Sequence, residues 1–439
     1  MLKLSIMVLE VPRKAVSRSV VIAAIVVLAL ILVGAFIYVY GRAPQTPQAP
    51  QTQTPQTQTP ARQVKVAVLF DVGGEGDLSF NDMAALGARR AASDFGVKVD
   101  FATPKSLADM VPLLERLSRE GGYDLLVLVG FLWTDALNRT ADKFPQQKYA
   151  LIDASTGIVR PNVVEILFRE QEVGALIGVI AAGMARELQR ESGETGPLRV
   201  GSVAGMSIPP LWRFHIGYLF GAKYFEAKTG AKVEFYWTYT GKFDDPALGY
   251  SAANTLLAQG VRVLYGLAGL THVGMFNAVI EWNKKGGPRT IAMGQDASQE
   301  WYSPRDIPVS GAKRVDVAVY TAVEMVVKGN WRGGIQVLGI AEGGVGVWDL
   351  DGVRYFAEIA VKKRQLKDVT ADDVVKAVDE TRKKYIKDDV WKLAKELEDM
   401  IKRGEIAFKD PRSPEEYESI VKELEKGNLN AALAKGRIS

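Results

Sequence analysis

VKVAVLFDVGGEGDLSFNDMAALGARRAASDFG, at Val64–Gly96, is the stretch that decides the fold. A β-branched apolar run at Val64–Phe70 leads into a glycine-rich turn with acidic residues, and an amphipathic segment at Phe80–Phe95 follows. This pattern predicts a strand, a turn and a helix, which together are half of a βαβ unit. Ligands of such folds bind at the carboxyl ends of the strands, where the turn lies. We therefore expect a small-molecule cleft at this edge.

The same alternation of short apolar runs and amphipathic segments continues to about residue 330. Many of the runs are continuously apolar, as in Leu125–Val129, which is typical of strands covered by helices on both faces. The alternation is interrupted near Glu170. We predict an α/β fold of two doubly wound, Rossmann-like lobes with a cleft between them.

The end of the chain has a different composition, because Leu366–Ile406 is rich in Lys, Glu and Asp at helical spacing. We interpret this stretch as surface helices that pack one apolar face on a lobe, with a coiled-coil arm as the alternative. The predicted domains are a cytoplasmic N-terminus at 1–19, a transmembrane anchor at 20–40, a Pro/Gln/Thr-rich linker at 41–63, lobe 1 at 64–168 plus 297–330, and lobe 2 with the C-terminal helices at 169–296 plus 331–439.

A long uncharged apolar run, Val20–Tyr40, precedes the predicted lobes. As a helix it would match the ~30 Å hydrocarbon core of a bilayer. Arg13, Lys14 and Arg18 precede the run and only Arg42 closely follows it, which places the N-terminus in the cytoplasm. A cleaved signal peptide is the alternative, but its apolar core is usually only ~7–15 residues long. We expect a single-pass anchor in the cell membrane with the binding domain outside.

Composition argues against several classes of protein. The linker is rich in Pro, Gln and Thr, which favours an extended, solvated stalk. The chain contains no cysteine, so neither disulfides nor a lipid on cysteine is available to it. Its formal net charge is only +4 and no basic stripe with aromatic residues is present, so nucleic-acid binding is not expected.

Features of an enzyme are also missing from the sequence. The two histidines, His215 and His272, lie in segments that favour a structural or rim position, and with no cysteine a zinc site is not expected. The G-x-S-x-G motif of a nucleophile elbow does not occur. We expect a binding protein without a catalytic residue, a metal or a cofactor.

Several motifs carry a resemblance to a known family. In chain order, they are GDLSFND at 76–82, GFLWTDA at 130–136, IDA at 152–154, GMSIP at 205–209, RFHIGY at 213–218, GKFDDP at 241–246, GQD at 294–296, KRVDVAVY at 313–320 and EGGVG at 342–346. The chain resembles the basic membrane protein family over about 64–347 and, more loosely, over 400–408. The resemblance implies the substrate-binding component of an ABC importer, with a type I periplasmic binding fold, permease and ATPase partners, and typically a purine nucleoside as ligand.

Three aromatic residues fit the flat faces of a base within this resemblance. Phe80 lies at the first strand-to-helix turn, and Phe214 and Phe243 belong to the second lobe. A base stacked between rings from both lobes gains roughly 1–3 kcal/mol per stack. Core packing is the alternative for each of them. It is weakest for Phe243, whose Gly-Lys-Phe-Asp-Asp-Pro turn is too polar for a core strand.

Polar residues at strand ends fit the ribose and the base edge. Asp296 follows an apolar run and could accept from two ribose hydroxyls, while Lys313 would donate and partly neutralise that carboxylate, unless it is merely a solvated helix-end lysine. Asp153 could accept from a base N–H, and Asn81 can both donate and accept. Each assignment depends on the strand-end position together with the family match.

Two further positions complete the predicted ligand-binding set. Gly269 would let backbone approach the ligand without a β-carbon in the way. Asp77 lies in the acidic glycine-rich turn, whose carboxylates would repel a phosphate. We therefore predict that nucleosides bind and nucleotides do not. A sugar or other small-solute receptor of the same fold and a sensory receptor are the alternatives to a nucleoside importer, and an adhesion protein is a third.

Overall fold

Two six-stranded β-sheets organise residues 62–438, the part of the chain that the structure, a computed structural model, describes. A two-stranded sheet lies near the end of the chain. The strands are β1 (Lys65–Leu69), β2 (Lys98–Ala102), β3 (Leu125–Val129), β4 (Tyr149–Ile152), β5 (Val163–Phe168), β6 (Leu198–Ala204), β7 (Val233–Tyr239), β8 (Val263–Leu267), β9 (Ile291–Asp296), β10 (Val309–Lys313), β11 (Gly334–Leu338), β12 (Val345–Val347), β13 (Ala407–Phe408) and β14 (Leu433–Lys435).

Helices alternate with these strands and then dominate the last hundred residues. They are α1 (Phe80–Phe95), α2 (Met110–Glu120), α3 (Thr134–Thr140), α4 (Glu170–Ser192), α5 (Pro209–Thr229), α6 (Pro246–Ala258), α7 (Leu270–Lys284), α8 (Val315–Val327), α9 (Leu350–Lys362), α10 (Ala371–Tyr385), α11 (Asp388–Lys402) and α12 (Pro414–Glu425).

Both large sheets repeat one strand order. The first sheet runs β11-β5-β4-β3-β1-β2 and the second runs β12-β10-β9-β8-β6-β7. Strands β1–β5 are parallel to one another in the first sheet, and β6–β10 are parallel to one another in the second. In each sheet the carboxyl ends of these five strands therefore lie at one edge. This is the doubly wound arrangement whose ligand site lies where the strand order reverses. The prediction of an α/β fold with two lobes is confirmed.

Helices cover both faces of the first sheet, and alternate residues of each strand point into the two cores between sheet and helices. Val66 and Val68 of β1 belong to the core shared with α1, whereas Ala67 and Leu69 belong to the core shared with α2 and α3. Because successive side chains point to opposite faces, a strand that is buried on both sides must be apolar at every position. All five residues of β3 are buried for this reason.

The chain crosses between the lobes three times, after β5, after β10 and after β11. Strand β10 pairs in parallel with β9 and thus belongs to the second sheet, whereas the sequence placed all of 297–330 in lobe 1. Strand β11 pairs in parallel with β5 and belongs to the first sheet, whereas 331–439 was placed in lobe 2. Both predicted lobe boundaries were wrong. The lobe to which β10 and β11 belong is decided by the strand with which each one pairs, β9 and β5 respectively, and not by its place in the sequence.

The C-terminal helices pack on the second lobe. Helix α11 contacts α4, and α12 contacts α5. Helix α11 buries Val390, Ala394, Leu397 and Ile401, which follow one another at helical spacing on one face. The interpretation of surface helices with one packed face therefore holds for this segment.

The predicted cytoplasmic N-terminus and transmembrane anchor, at residues 1–40, lie outside the described residues, as does the linker up to residue 61. Within 62–438, we find no helix with both the length and the apolar character that a bilayer crossing requires.

Candidate ligand-binding site

A cavity that is partly open to solvent lies between the carboxyl edges of the two sheets. All nine residues that the sequence predicted as ligand-binding line this one cavity; their role in binding stays a prediction. The lining side chains and backbones are Asp71, Gly73, Asp77, Phe80, Asn81, Gly130, Phe131, Leu132, Asp153, Ile208, Pro210, Leu211, Phe214, Phe243, Leu267, Gly269, Gln295, Asp296 and Lys313.

The turn between β1 and α1 is held by the carboxylate of Asp77. Its oxygens accept from the backbone N–H groups of Ser79 (2.9 Å), Asn81 (2.9 Å) and Asp82 (3.1 Å). Nδ2 of Asn81 donates both to Asp77, at 3.0 Å, and to Asp71, at 2.7 Å. Burial, aided by the nearby Asp82, raises the pKa of Asp77 to about 8. The polar atoms of this turn are therefore largely hydrogen-bonded to one another.

A buried ionic cluster lies beside the cavity, where the chain passes between the lobes after β5 and after β10. Lys313, at the end of β10, places Nζ 2.6 Å from Oδ2 of Asp153 and 2.8 Å from Oε1 of Glu170. Nε of Arg213 donates to Oε2 of Glu170 at 2.5 Å. Lys313 is only 2% exposed, so the alternative of a solvated lysine is wrong. Asp153 comes from the first lobe, and thus the cluster joins the two lobes.

Electrostatics of this cluster favour a charged lysine. Burial alone would lower the pKa of Lys313, but the carboxylates of Asp153 and Glu170 raise it above its usual value. Burial likewise opposes ionisation of Glu170, yet the charges of Arg213 and Lys313 lower its pKa to about 2. Burial and the neighbouring Glu170 raise the pKa of Asp153. Among the described residues no group donates to Oδ1 of Asp153, which leaves an acceptor available.

Two of the strand-end carboxylates share an uncommon backbone. Asp153 follows β4 with φ of +68°, and Asp296 ends β9 with φ of +72°. Left-handed geometry is rare for residues other than glycine and is enriched at functional positions. It turns each carboxylate away from the strand direction. Burial raises the pKa of Asp296, against the opposing effects of Lys313 and Ser79.

Asp296 also makes a contact across the cleft. Its Oδ2 accepts from Oγ of Ser79, in the first lobe, at 2.6 Å. The same hydroxyl lies 3.0 Å from the carbonyl oxygen of Gln295. Nearby, Nε2 of Gln299 donates to the carbonyl oxygen of Leu78 at 3.0 Å. The hydrogen bond between Ser79 and Asp296 therefore forms only when the two lobes lie close together.

The three predicted aromatic residues reach the cavity in different ways. Phe80 and Phe214 each place their ring centroid 5.4 Å from Nζ of Lys313, a distance that allows cation–π attraction. Phe214 is only 3% exposed and packs edge-on against Tyr265, so it serves the core as well as the cavity. Phe243 is half-buried, and its ring covers Gly205, where a β-carbon would lie 2.2 Å from Cε1.

Several cavity or supporting residues were missed by sequence reasoning. Asp71 lies two residues after the end of β1, close to where Asp153 follows β4, so the strand-end rule could have found it. Glu170 and Arg213 are buried partners that are 43 residues apart in sequence, and nothing local pairs them. Ser79 belongs to the motif GDLSFND at 76–82, but the sequence alone assigns it no role in binding. The packing of α4 on α5 brings Glu170 to Arg213, and the approach of the two lobes brings Ser79 to Asp296.

Comparisons with known proteins agree with this architecture. A family model described as ABC transporter substrate-binding protein PnrA-like matches residues 64–389. A crystal structure of a solute-binding protein of an ABC transporter system from Aeropyrum pernix superposes with a TM-score of 0.82 at 56% sequence identity. The match covers 84% of this chain and 100% of that one.

Relatives from other organisms point the same way. An uncharacterized lipoprotein of Pyrococcus horikoshii is 64% identical over 377 residues, which are 86% of this chain and 91% of that protein. Basic membrane protein B of Borreliella burgdorferi is 28% identical over 316 residues, or 70% of this chain and 86% of that protein. Solute-binding proteins of ABC transporters bind small molecules and work with permease and ATPase components, and they are not enzymes. The chain therefore belongs to the PnrA-like ABC transporter substrate-binding proteins, the family that includes the basic membrane proteins.

Proposed function

We propose that this protein binds a nucleoside, in particular a purine nucleoside, in the cavity between its lobes and delivers it to an ABC importer. The observation that carries the proposal is the set of side chains that share one cavity. Phe80, Phe214 and Phe243 offer apolar faces for a base, while Asp296 and Lys313 offer a charged acceptor and donor for ribose hydroxyls. A nucleoside needs both kinds of contact in one site.

Closure of the lobes follows from the same contacts. Asp153 and Ser79 belong to the first lobe and Lys313 and Asp296 to the second, so a ligand between them makes all of its contacts only when the lobes are close. A ligand with that preference shifts the population towards the closed form. The permease would then recognise the closed form.

A thermal-shift panel tests the ligand. Purified residues 62–439 would be heated with inosine, guanosine, adenosine, cytidine, free bases, ribose, glucose and arabinose. Because a ligand that binds only the native state raises its melting temperature, we expect the purine nucleosides to give the largest shift. Calorimetry would then give the affinity. A shift with a sugar and with no nucleoside would contradict the proposal and favour the sugar-receptor alternative.

We also propose that residues 20–40 anchor the protein in the cell membrane, with the binding domain outside. Support comes from the uncharged run of 21 residues and from the more numerous basic residues on its N-terminal side. The Pyrococcus horikoshii relative is called a lipoprotein, but this chain has no cysteine to carry a lipid. A peptide anchor would serve the same purpose.

Membrane fractionation tests the anchor. The full chain should sediment with membranes and resist alkaline extraction, whereas a chain without residues 20–40 should not. Protease added to intact cells should digest a tag at the C-terminus and leave an N-terminal tag intact. A full chain found in the soluble fraction, or a C-terminal tag protected in intact cells, would contradict the proposed topology.

A further inference from the structure

The backbone of Asp296 is held from outside the cavity by Trp348. Nε1 of Trp348, in the segment between β12 and α9, donates to the carbonyl oxygen of Asp296 at 2.8 Å. Asp296 has φ of +72°, a conformation that L-residues leave readily unless the surrounding structure fixes it. The hydrogen bond fixes the peptide group directly after the carboxylate-bearing residue.

Trp348 is itself fixed on several sides. Its backbone N–H donates to the carbonyl oxygen of Ser310 at 3.1 Å. Its ring lies against Gly352, where a β-carbon would be 2.5 Å from Cε3, and meets Phe356 edge-on at 5.2 Å. Its carbonyl oxygen accepts from Nη2 of Arg382 at 3.0 Å. The indole therefore has little freedom to move away from Asp296.

Arg382 connects helix α10 with the loop that follows Asp296. It is 7% exposed, and its Nε donates to the carbonyl oxygen of Pro308 at 2.7 Å. Nη2 also donates to Oε1 of Glu300 at 3.1 Å, and Glu300 is fully buried. Glu300 accepts in turn from the hydroxyls of Ser298, at 2.5 Å, and Ser310, at 3.0 Å. A buried charge with this many partners is costly to disturb.

We propose that Trp348 and Arg382 are positioning residues for the ligand-binding carboxylate of Asp296, and that this is a function of helices α9 and α10. A rotation of the Asp296 backbone out of its left-handed conformation would redirect the Cα–Cβ bond and move the carboxylate away from Ser79 and from the ligand. Trp348 prevents that rotation, and Arg382 holds both Trp348 and the Ser298–Glu300 loop. The inference rests on the proposed function, because Asp296 is taken to contact the ligand.

The principal test is Trp348→Phe, which keeps an aromatic ring over Gly352 and removes the indole N–H. The affinity for inosine, measured by calorimetry, should fall roughly fivefold, the effect expected of one hydrogen bond. Trp282→Phe is the matched control, since Nε1 of Trp282 donates to the carbonyl oxygen of Pro288 at 3.0 Å, before the amino end of β9. That control should leave the affinity unchanged.

A second readout does not depend on the ligand. In protein without added nucleoside, hydrogen exchange of the peptide 294–301 should become faster in Trp348→Phe and in Arg382→Lys. Lysine keeps the charge of Arg382 but cannot reach three acceptors at once. Arg354→Lys, which alters an exposed ion pair with Asp372 on the same two helices, is the control and should not change this exchange.

A double-mutant cycle separates positioning from a general loss of stability. In an Asp296→Ala background, Trp348→Phe should change the inosine affinity less than about twofold, because the group it positions is gone. An equal loss in both backgrounds, or unchanged exchange at 294–301, would overturn the inference. If wild-type protein binds no nucleoside while exchange at 294–301 still responds to Trp348→Phe, the nucleoside proposal fails and the link between Trp348 and Asp296 stands.

Discussion

The two walls of the cavity hold their polar groups in different ways. We call Asp71, Asp77, Phe80, Asn81 and Asp153 the first-lobe wall, and Phe214, Phe243, Gly269, Asp296 and Lys313 the second-lobe wall. Most polar atoms of the first-lobe wall bond within the turn that carries them, as in the three N–H groups around Asp77.

The charged groups of the second-lobe wall instead find partners across the cleft. Lys313 reaches Asp153, and Asp296 accepts from Ser79. The first-lobe wall is therefore formed by its own turn, whereas the second-lobe wall is completed by closure. The comparison shows that a polar residue such as Asp77 can line the cavity while its hydrogen bonds mainly stabilise the turn that carries it.

The largest effect should come from adding charge to the ligand. AMP should bind at least ~100-fold more weakly than adenosine, because a phosphate about 6 Å from one carboxylate costs roughly 3 kcal/mol at an effective dielectric constant of about 20. Four aspartates and a single lysine line the cavity among the described residues, and Asp77, one of the four, becomes charged only as the pH rises towards 8. Calorimetry at constant ionic strength measures the difference. Equal affinity for AMP and adenosine would show that neither wall acts as an electrostatic filter.

Asp296→Ala should give the next largest effect. Loss of one charge-assisted contact with ribose hydroxyls should weaken inosine binding roughly 10- to 100-fold, since such bonds contribute about 1.5–3 kcal/mol. Asp135→Ala is the control, because Asp135 pairs with Arg139 in an exposed contact on α3. Comparable losses in both variants would contradict the special role of the second-lobe wall.

Phe243→Ala should weaken inosine binding roughly tenfold, the value of one base stack. Tyr355→Ala removes a ring that is 47% exposed outside the cavity and should leave the affinity unchanged. Free hypoxanthine should be affected by Phe243→Ala as strongly as inosine, because both share the base. An affinity that Phe243→Ala does not change would remove this residue from the binding wall.

The smallest effect on affinity is expected from Asp77→Asn, within about threefold, because the carboxylate of Asp77 is bonded within its own turn. The variant should instead change the pH dependence of stability. Burial raises the pKa of Asp77 to about 8, so the folded protein keeps a proton that the unfolded chain releases near pH 4.

The free energy of unfolding of the wild type should therefore contain a contribution from Asp77 that is complete below about pH 4 and is lost as the pH rises towards 8. Urea titrations at pH 5, 6.5 and 8 should show a flatter dependence for Asp77→Asn, which cannot ionise. Asp135→Asn should follow the wild type. Parallel curves for wild type and Asp77→Asn would contradict a protonated Asp77 in the folded protein.

Local sequence patterns predicted the central elements well. Helix α1 spans Phe80–Phe95 as its apolar periodicity indicated, and the strand-end positions of Asp153 and Asp296 followed from apolar runs. Such features depend on neighbours along the chain. The residues of the predicted site reached one cavity because parallel strands bring their carboxyl ends to one edge.

Features that depend on distant partners were not predicted. Strand β11 is half exposed, with Ile335 at 50% and Val337 at 39%, so its short alternating pattern gave a weak signal. The pairing of β11 with β5 and of Glu170 with Arg213 joins segments that are distant in sequence, so no local pattern indicates it. The same holds for Trp348, which reaches Asp296 over 52 residues of sequence.

Three chain crossings restrict how one lobe can move against the other. Three neighbouring tethers allow a rotation and resist sliding, so opening would change distances most at the lobe surfaces remote from the crossings. The chain has no thiol of its own. One engineered cysteine on each lobe would therefore accept a pair of dyes selectively and convert ligand occupancy into an optical signal.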